Sequence, residues 1–329
     1  MQRHKSIKNK KSILIIVILL LSLSIVLYLL ANRYLIEHVE KDNAFYEYID
    51  SGTVTSEKQT TEDTNSQETM ESDADKVEIY VNDDWNYNDD FISVNINKIS
   101  EGPGSDTITY YVADVVLKNS ESLKTAFAKN QFGANIVQDT SVIAEDNNAI
   151  FAINGDYYGF REDGIVIRNG VIFRDDPTRK GLAIYDDGSM KSYDETTANA
   201  EELIASGVIQ AFTFGPVLVE NGTANSDFGK TVIDTNFGNR SIQNANPRTG
   251  VGIISDNHFI FVVVDGRSRG YSKGMTLTEF AKVFEDLGCT DAYNLDGGGS
   301  STMYFCGRVV NNPLGKEEER GVSDIIYIN

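Results

Sequence analysis

The 329-residue sequence holds 49 acidic against 29 basic residues, a net charge of −20, with 41% hydrophobic content. This balance repels nucleic acid and disfavours docking of the globular part on anionic lipid, while the length suits one large domain or two small ones. Two cysteines, Cys289 and Cys306, and three histidines, His4, His38 and His258, supply no CxxC pair and no zinc-ligand set, which excludes a transition-metal enzyme of that kind.

Residues 1–12 are basic through Arg3, His4, Lys5, Lys8, Lys10 and Lys11, and are read as a cytoplasmic end. An apolar run follows over 13–31, broken by Ser22, Ser24 and Tyr28. At about 1.5 Å per residue it reaches roughly 28 Å, close to the thickness of a hydrocarbon core. The basic flank predicts a single-pass anchor in the cell membrane with the chain after Tyr34 outside. The competing reading is a cleaved signal peptide, but the run is long for one and no small-x-small site follows Ala31. Residues 33–50 can continue as a short helix. Over 40–90 there are 16 Asp or Glu against three Lys, so −13 of the net charge sits in one segment. Within it, 51–75 is Ser, Thr, Glu and Asp with almost nothing apolar, and 32–76 reads as an acidic, largely disordered tether. A domain is expected over 77–329, opening with VEIYV at 77–81.

The domain is rich in short strand patterns. TITYYVADVVL (107–117) alternates and is β-branched. GIVIRNGVIFR (164–174) reads as a hairpin on Asn169-Gly170, and GLAIYDDGSMKSY (181–193) as another on Asp187-Gly188. Helices are expected at 122–129, 198–206 and 277–287. The last has a capping box in Thr276 and Glu279, an apolar stripe of Leu277, Phe280, Ala281, Phe284 and Leu287, and Gly288 as its stop. It lies between FIFVVV (259–264), read as a strand buried on both faces, and AYNLD (292–296). The fold class is α+β: a large mixed or antiparallel sheet, few helices, and a C-terminal strand-helix-strand unit with parallel strands.

Parallel strands end on one sheet edge, where ligands of such units bind. Here the edge would collect Asp265, Gly266 and Arg267 from the first strand, and Asp296 with Gly297, Gly298, Gly299, Ser300 and Ser301 from the second. Successive glycines let backbone N–H groups face a cavity, an arrangement suited to phosphate oxygens. GVGIIS (250–255) and HFIFVVV (258–264) flank a two-residue turn, Asp256-Asn257. Counting outward from it sets Arg248 opposite Asp265, where a guanidinium can hold a carboxylate or a phosphate.

NGDYY (154–158), FGPVLVENG (214–222), RTGVGI (248–253), VVVDGR (262–267), NLDGGGSSTM (294–303) and ERGVSD (319–324) resemble the phosphodiester glycosidase family. The motifs stand in the family's order over about 150–330, and the long NLDGGGSS run makes the resemblance specific. It implies a hydrolase that cleaves a sugar-1-phosphodiester and releases the sugar; relatives in bacteria carry membrane anchors and links to exopolysaccharide. The expected partner is a sugar-phosphate glycoconjugate or cell-envelope polymer.

Glycosidases commonly set two carboxylates about an oxocarbenium-like transition state, and a phosphate leaving group needs little protonation when arginines and backbone amides take its charge. On this basis Asp265, Asp296 and Glu319 are the candidate catalytic groups. Arg248, Arg267, Arg320, Gly298, Gly299, Ser300 and Ser301 are candidates for phosphate, and Asn154 and Asp156 for sugar hydroxyls. Each has a plainer reading: a buried Arg248–Asp265 ion pair, a turn at 154–156, a solvated acidic run at 317–319, and Tyr157 and Tyr158 as core. Glu279 belongs to its capping box. No cofactor pattern is present; a divalent cation on Asp265 or Asp296 has no dedicated ligand set. If 292–296 and 301–305 lie together, Cys289 and Cys306 can approach bonding distance. The rival activities are phosphodiesterase cleavage of the P–O bond and non-catalytic binding of polysaccharide or wall.

Overall fold

The computed structural model describes residues 2–42, 83–118, 123–233 and 242–329; the tether at 51–75 and the VEIYV segment lie outside them. The first element is the helix Gln2–Tyr34. Its stretch Leu14–Tyr34 includes an 18-residue window of mean hydropathy 3.1 that no other described part of the chain covers, and is long and apolar enough to cross a membrane. The helix stops at Tyr34, and the expected continuation is instead a strand, His38–Asp42, paired with Gln131–Ala134. Here the chain is held by the domain: Asn135 Nδ2 donates to the Arg33 and Ile36 carbonyls, and Lys41 Nζ to Ile172 O.

Every ladder among the described residues is antiparallel. The strands form an eight-stranded sheet, two five-stranded sheets and the two-stranded pair above. The large sheet runs in the spatial order Thr223–Ala224, Val217–Glu220, Asp291–Asn294, Arg248–Ser255, His258–Val264, Ile108–Leu117, Ile92–Glu101, Asn86–Asn88. One of its faces meets strands of both smaller sheets through Val94, Val115, Phe261, Phe151, Ile326 and Phe212. The other face, through Val112, Ile260, Val262 and Val264, packs on the helix Leu277–Asp286 by Phe280, Ala281 and Phe284. His258–Val264 thus serves both layers, and its residues after His258 are all buried.

The strand-helix-strand unit is present, with Arg248–Ser255 inserted between its two parallel strands and antiparallel to both. The expected capping box of Thr276 and Glu279 forms. Helix and sheet approach closely because Gly252 has no side chain: a Cβ there would stand 2.7 Å from the Phe284 ring and from Cys289 Sγ. The Asn169-Gly170 hairpin joins Gly164–Arg168 to Val171–Asp176, with φ of 49° and 75° at the turn, as a primed turn requires. The second hairpin forms as well, and Ala200–Ala205 is a helix capped by Asn199.

The structure departs from the sequence reading in three places. The helix expected over 122–129 is a strand at Lys124–Phe127, because pairing with Asp324–Ile328 and burial of Thr125 and Phe127 outweigh local helical propensity. A helix at Thr140–Asp146, not foreseen, is capped from afar by Glu319. Cys289 and Cys306 are free, one buried against the helix layer and the other exposed after Met303–Phe305, in a different sheet.

The hairpin register is corrected too. Ser255 pairs with His258 as the turn dictates, but Ile254 is left without a partner and the register shifts there, so Arg248 stands opposite Val264. One extra residue in a strand turns every later side chain to the other face. Arg248 therefore emerges on the helix side with Val264, and Asp265, by alternation, on the side of the smaller sheets.

Candidate active site

The edge expected to carry the chemistry does hold a cavity, of about 400 Å³. The strand ending at Asn294 gives it Asn294, Asp296, Gly297 and Gly298; the neighbouring strand start gives Asn246 and Arg248; Arg267 and Arg320 come from the following loop and from the C-terminal segment. Phe214 and Tyr157 complete the wall.

Asp296 is the one carboxylate among the described residues lining this cavity. Its Oδ1 accepts the Gly297 N–H at 2.9 Å and its Oδ2 the Ser300 hydroxyl at 2.6 Å. Arg320 Nη2 lies 3.5 Å from Oδ2 and donates to Ser300 Oγ at 2.5 Å, so the hydroxyl joins the two charges. Burial pushes the Asp296 carboxyl above the ordinary carboxylate range, against the opposing pull of Arg320 and the Ser300 hydrogen bond. Arg161, its guanidinium 5.3 Å from the Tyr157 ring centre and 4.8 Å from that of Phe214, adds positive charge nearby.

Backbone carbonyls hold the Arg248 guanidinium. Nε donates to Met275 O at 3.0 Å, and Nη2 to Ile242 O at 2.7 Å and Asn244 O at 2.8 Å. Burial lowers it to about 10, with the neighbouring Arg267 acting in the same direction. Arg267 donates from Nε and Nη2 to Asn246 Oδ1. It packs over the glycine turn: a Cβ on Gly298, whose φ is +66°, would lie 3.2 Å from its guanidinium nitrogens. Glycine is thus needed at 298 both for the backbone conformation and for the close approach of the cation. Arg248 and Arg267 thus share one wall of the cavity, a pairing of guanidinium groups that suits an anionic ligand.

The remaining sequence candidates divide sharply. Asp265, 1% exposed, does not line the cavity; it accepts from Asn311 Nδ2 at 2.8 Å, Tyr271 OH at 2.7 Å and Asn312 N at 3.0 Å. Glu319 accepts the N–H and hydroxyl of Ser141 at the start of Thr140–Asp146, away from the cavity. Asn154 is a clasp: Nδ2 donates to Asp296 O at 2.7 Å, while Oδ1 accepts from Thr249 Oγ1 and Thr302 N. Asp156 accepts from Tyr157 N and Thr213 N and belongs to a buried network in which Arg168 Nε meets Asp324 Oδ2 at 2.7 Å. Burial drives Asp324 upward there despite Arg168. Gly299 packs against the Arg320 side chain, Ser300 links Arg320 to Asp296, and buried Ser301 offers its carbonyl to Asn311 Nδ2. The structure thus gathers Asp296, Arg248, Arg267, Gly298 and Arg320, and sets Asp265, Glu319, Asn154 and Asp156 behind them. Tyr157 is at the cavity, whereas Tyr158 is core, 1% exposed with its hydroxyl on Ser323 O.

Sequence reasoning missed Asn294, Asn246, Phe214 and Arg161. For Asn294 a signal existed: it stands two residues before Asp296 on a strand, hence on the same face. Among the described residues no three His, Cys, Asp or Glu side chains converge as a metal-binding group.

A family model described as phosphodiester glycosidase matches residues 147–329. The SPbeta prophage-derived uncharacterized protein YomE of Bacillus subtilis is 30% identical over 245 residues, which are 68% of this chain and 36% of that protein. The chain thus spans little more than a third of the curated relative's length. The fold resembles the catalytic domain of zebrafish N-acetylglucosamine-1-phosphodiester alpha-N-acetylglucosaminidase, auto-inhibited by its pro-peptide, with a TM-score of 0.56 at 20% identity over 74% of this chain and 84% of that one. It also resembles a hypothetical protein from Synechocystis, with a TM-score of 0.54 at 16% identity over 72% of this chain and 62% of that one.

Proposed function

The chain belongs to the phosphodiester glycosidase family, and we propose that it hydrolyses the bond between a sugar's anomeric carbon and a phosphodiester oxygen in an envelope polymer or glycoconjugate. The observation that carries this reading is the placing of Asp296 in one cavity with Arg248, Arg267 and Arg320. The reaction separates positive charge at the anomeric carbon from negative charge on the departing phosphate. A carboxylate suits the first and guanidinium groups the second.

In the proposed step, water oxygen bonds to the anomeric carbon while the C–O bond breaks and its electron pair leaves with the phosphate. Asp296 stabilises the carbon's developing charge, accepts the proton of the attacking water and returns it to solvent. Arg248 and Arg267 hold the phosphate, and Arg320, fixed through Ser300, keeps Asp296 in place. Phosphate is a weak base, so no second carboxylate is required as acid. An adjoining cavity of about 300 Å³, which shares Phe214 and residues 231–233 with the first and includes Arg179 and Lys180, supports a substrate longer than one sugar phosphate.

Full-length chain, purified in detergent, should turn over a member of a panel of UDP-sugars and wall polymers, with release of free sugar. Binding without turnover across the panel would make it a carbohydrate-binding module instead. The apolar helix Leu14–Tyr34 supports single-pass anchoring in the cell membrane, with the basic end cytoplasmic and the domain outside. Alkaline carbonate washing should then leave the chain in the membrane fraction; its release, with residues 1–31 removed, would identify a cleaved leader.

A further inference from the structure

A residue of the cavity wall carries a polar atom that the proposed chemistry does not use. Asn294 is 1% exposed and lines the cavity, yet its Oδ1 accepts no hydrogen bond from the described residues. The orientation of the amide is fixed, because Nδ2 donates to Gly215 O at 2.8 Å and a carbonyl can face only the nitrogen. The backbone is held as well: Asn294 N donates to Pro216 O, and Gly215 N to Asn294 O. A buried acceptor left unmet costs about 1–3 kcal/mol, and native proteins rarely carry one without a partner in the working state.

The position of this acceptor gives the cavity a direction. Its strand lies between Val217–Glu220 and Arg248–Ser255. The Asn294 amide nitrogen reaches Gly215 on the first side, whereas Arg248 opens the strand on the second, with Arg267 beside it. Asp296 follows Asn294 on the same strand end. A sugar phosphodiester has the matching asymmetry, with hydrogen-bond donors on the ring substituents and acceptor oxygens on the phosphate.

Building on the proposed hydrolase reading, we infer that Asn294 is a specificity residue whose Oδ1 accepts a hydrogen bond from a hydroxyl or acylamino N–H of the glycosyl group. The sugar then lies on the Asn294 and Phe214 side, the phosphate against Arg248 and Arg267, and the scissile bond beside Asp296. Sites built to hydrogen-bond a substrate hydroxyl reject the analogue that lacks it far more strongly than an apolar pocket rejects a change of shape.

The test is a coupling measurement on the full-length protein with UDP-glucose, UDP-N-acetylglucosamine and their monodeoxy analogues. In the unmodified enzyme, removal of one particular donor should lower kcat/KM by about 10- to 100-fold. Asn294→Ala should lower kcat/KM on the parent substrate by a similar factor and should no longer respond to removal of that donor, while other deoxy positions keep their effects. Asn294→Asp retains an acceptor while giving up the N–H to Gly215, so it should still distinguish the same analogue; it serves as well if the alanine variant fails to fold. Equal losses at every position in all folded variants would overturn the assignment and leave Oδ1 to a permanently bound water. Absence of turnover of every sugar-1-phosphodiester by the unmodified enzyme would instead overturn the hydrolase reading on which it rests.

Discussion

Asp265 and Asp296 close equivalent strands and look alike in sequence, yet their surroundings assign them different work. Asp265 is enclosed by Tyr271, Asn311 and Asn312, whereas Asp296 shares a cavity with the arginines. Asp265→Ala should therefore cost about 2–4 kcal/mol of stability through the lost charged hydrogen bonds, measured by denaturant unfolding, with kcat of the folded protein nearly unchanged. Asp296→Asn should retain the melting temperature and lose at least about a thousandfold in kcat, roughly 4 kcal/mol of transition-state stabilisation. The reverse pattern would exchange their roles. Burial raises the Asp296 titration, so a reaction that needs its carboxylate form is lost as pH falls through a value above the ~3.9 of an ordinary aspartate. A kcat/KM profile with its acid limb at or below that value would contradict this role.

At the scale of elements, neighbouring residues in one segment serve different ends. Glu319 caps the helix Thr140–Asp146 through Ser141, while Arg320 turns to Ser300 and Asp296. Glu319→Ala should lower stability by about 1 kcal/mol and spare kcat; Arg320→Ala should do the opposite, and paired melting and kinetic measurements separate the two. The same scale explains what could be read from sequence. Turn chemistry at Asn169-Gly170, the capping box at Thr276, and the parallel strand ends that bring Arg267 and Asp296 together all rest on local rules, and they are present. The position of Arg248 opposite Val264 rests on one unpaired residue, Ile254, which no composition or spacing marks. Lys124–Phe127 and Thr140–Asp146 likewise depend on partners nearly two hundred residues away in sequence. Asp265, Asn154 and Asp156 share motifs with cavity residues because the same turns need them as internal hydrogen-bond partners.

For the whole molecule, the layers converge on one edge. The helix layer fixes the faces of the large sheet, the smaller sheets bring Asn154 beneath the Asp296 carbonyl, and the C-terminal segment supplies Arg320. On the proposed reading this edge cleaves the sugar's C–O bond, with the arginines holding a phosphate that leaves intact. A phosphodiesterase could use the same arginines but would deliver water to phosphorus. Hydrolysis of a confirmed substrate in ¹⁸O-labelled water, followed by mass spectrometry of both products, decides between them. Label in the anomeric hydroxyl of the released sugar is the result predicted here; label in the phosphate product would contradict it.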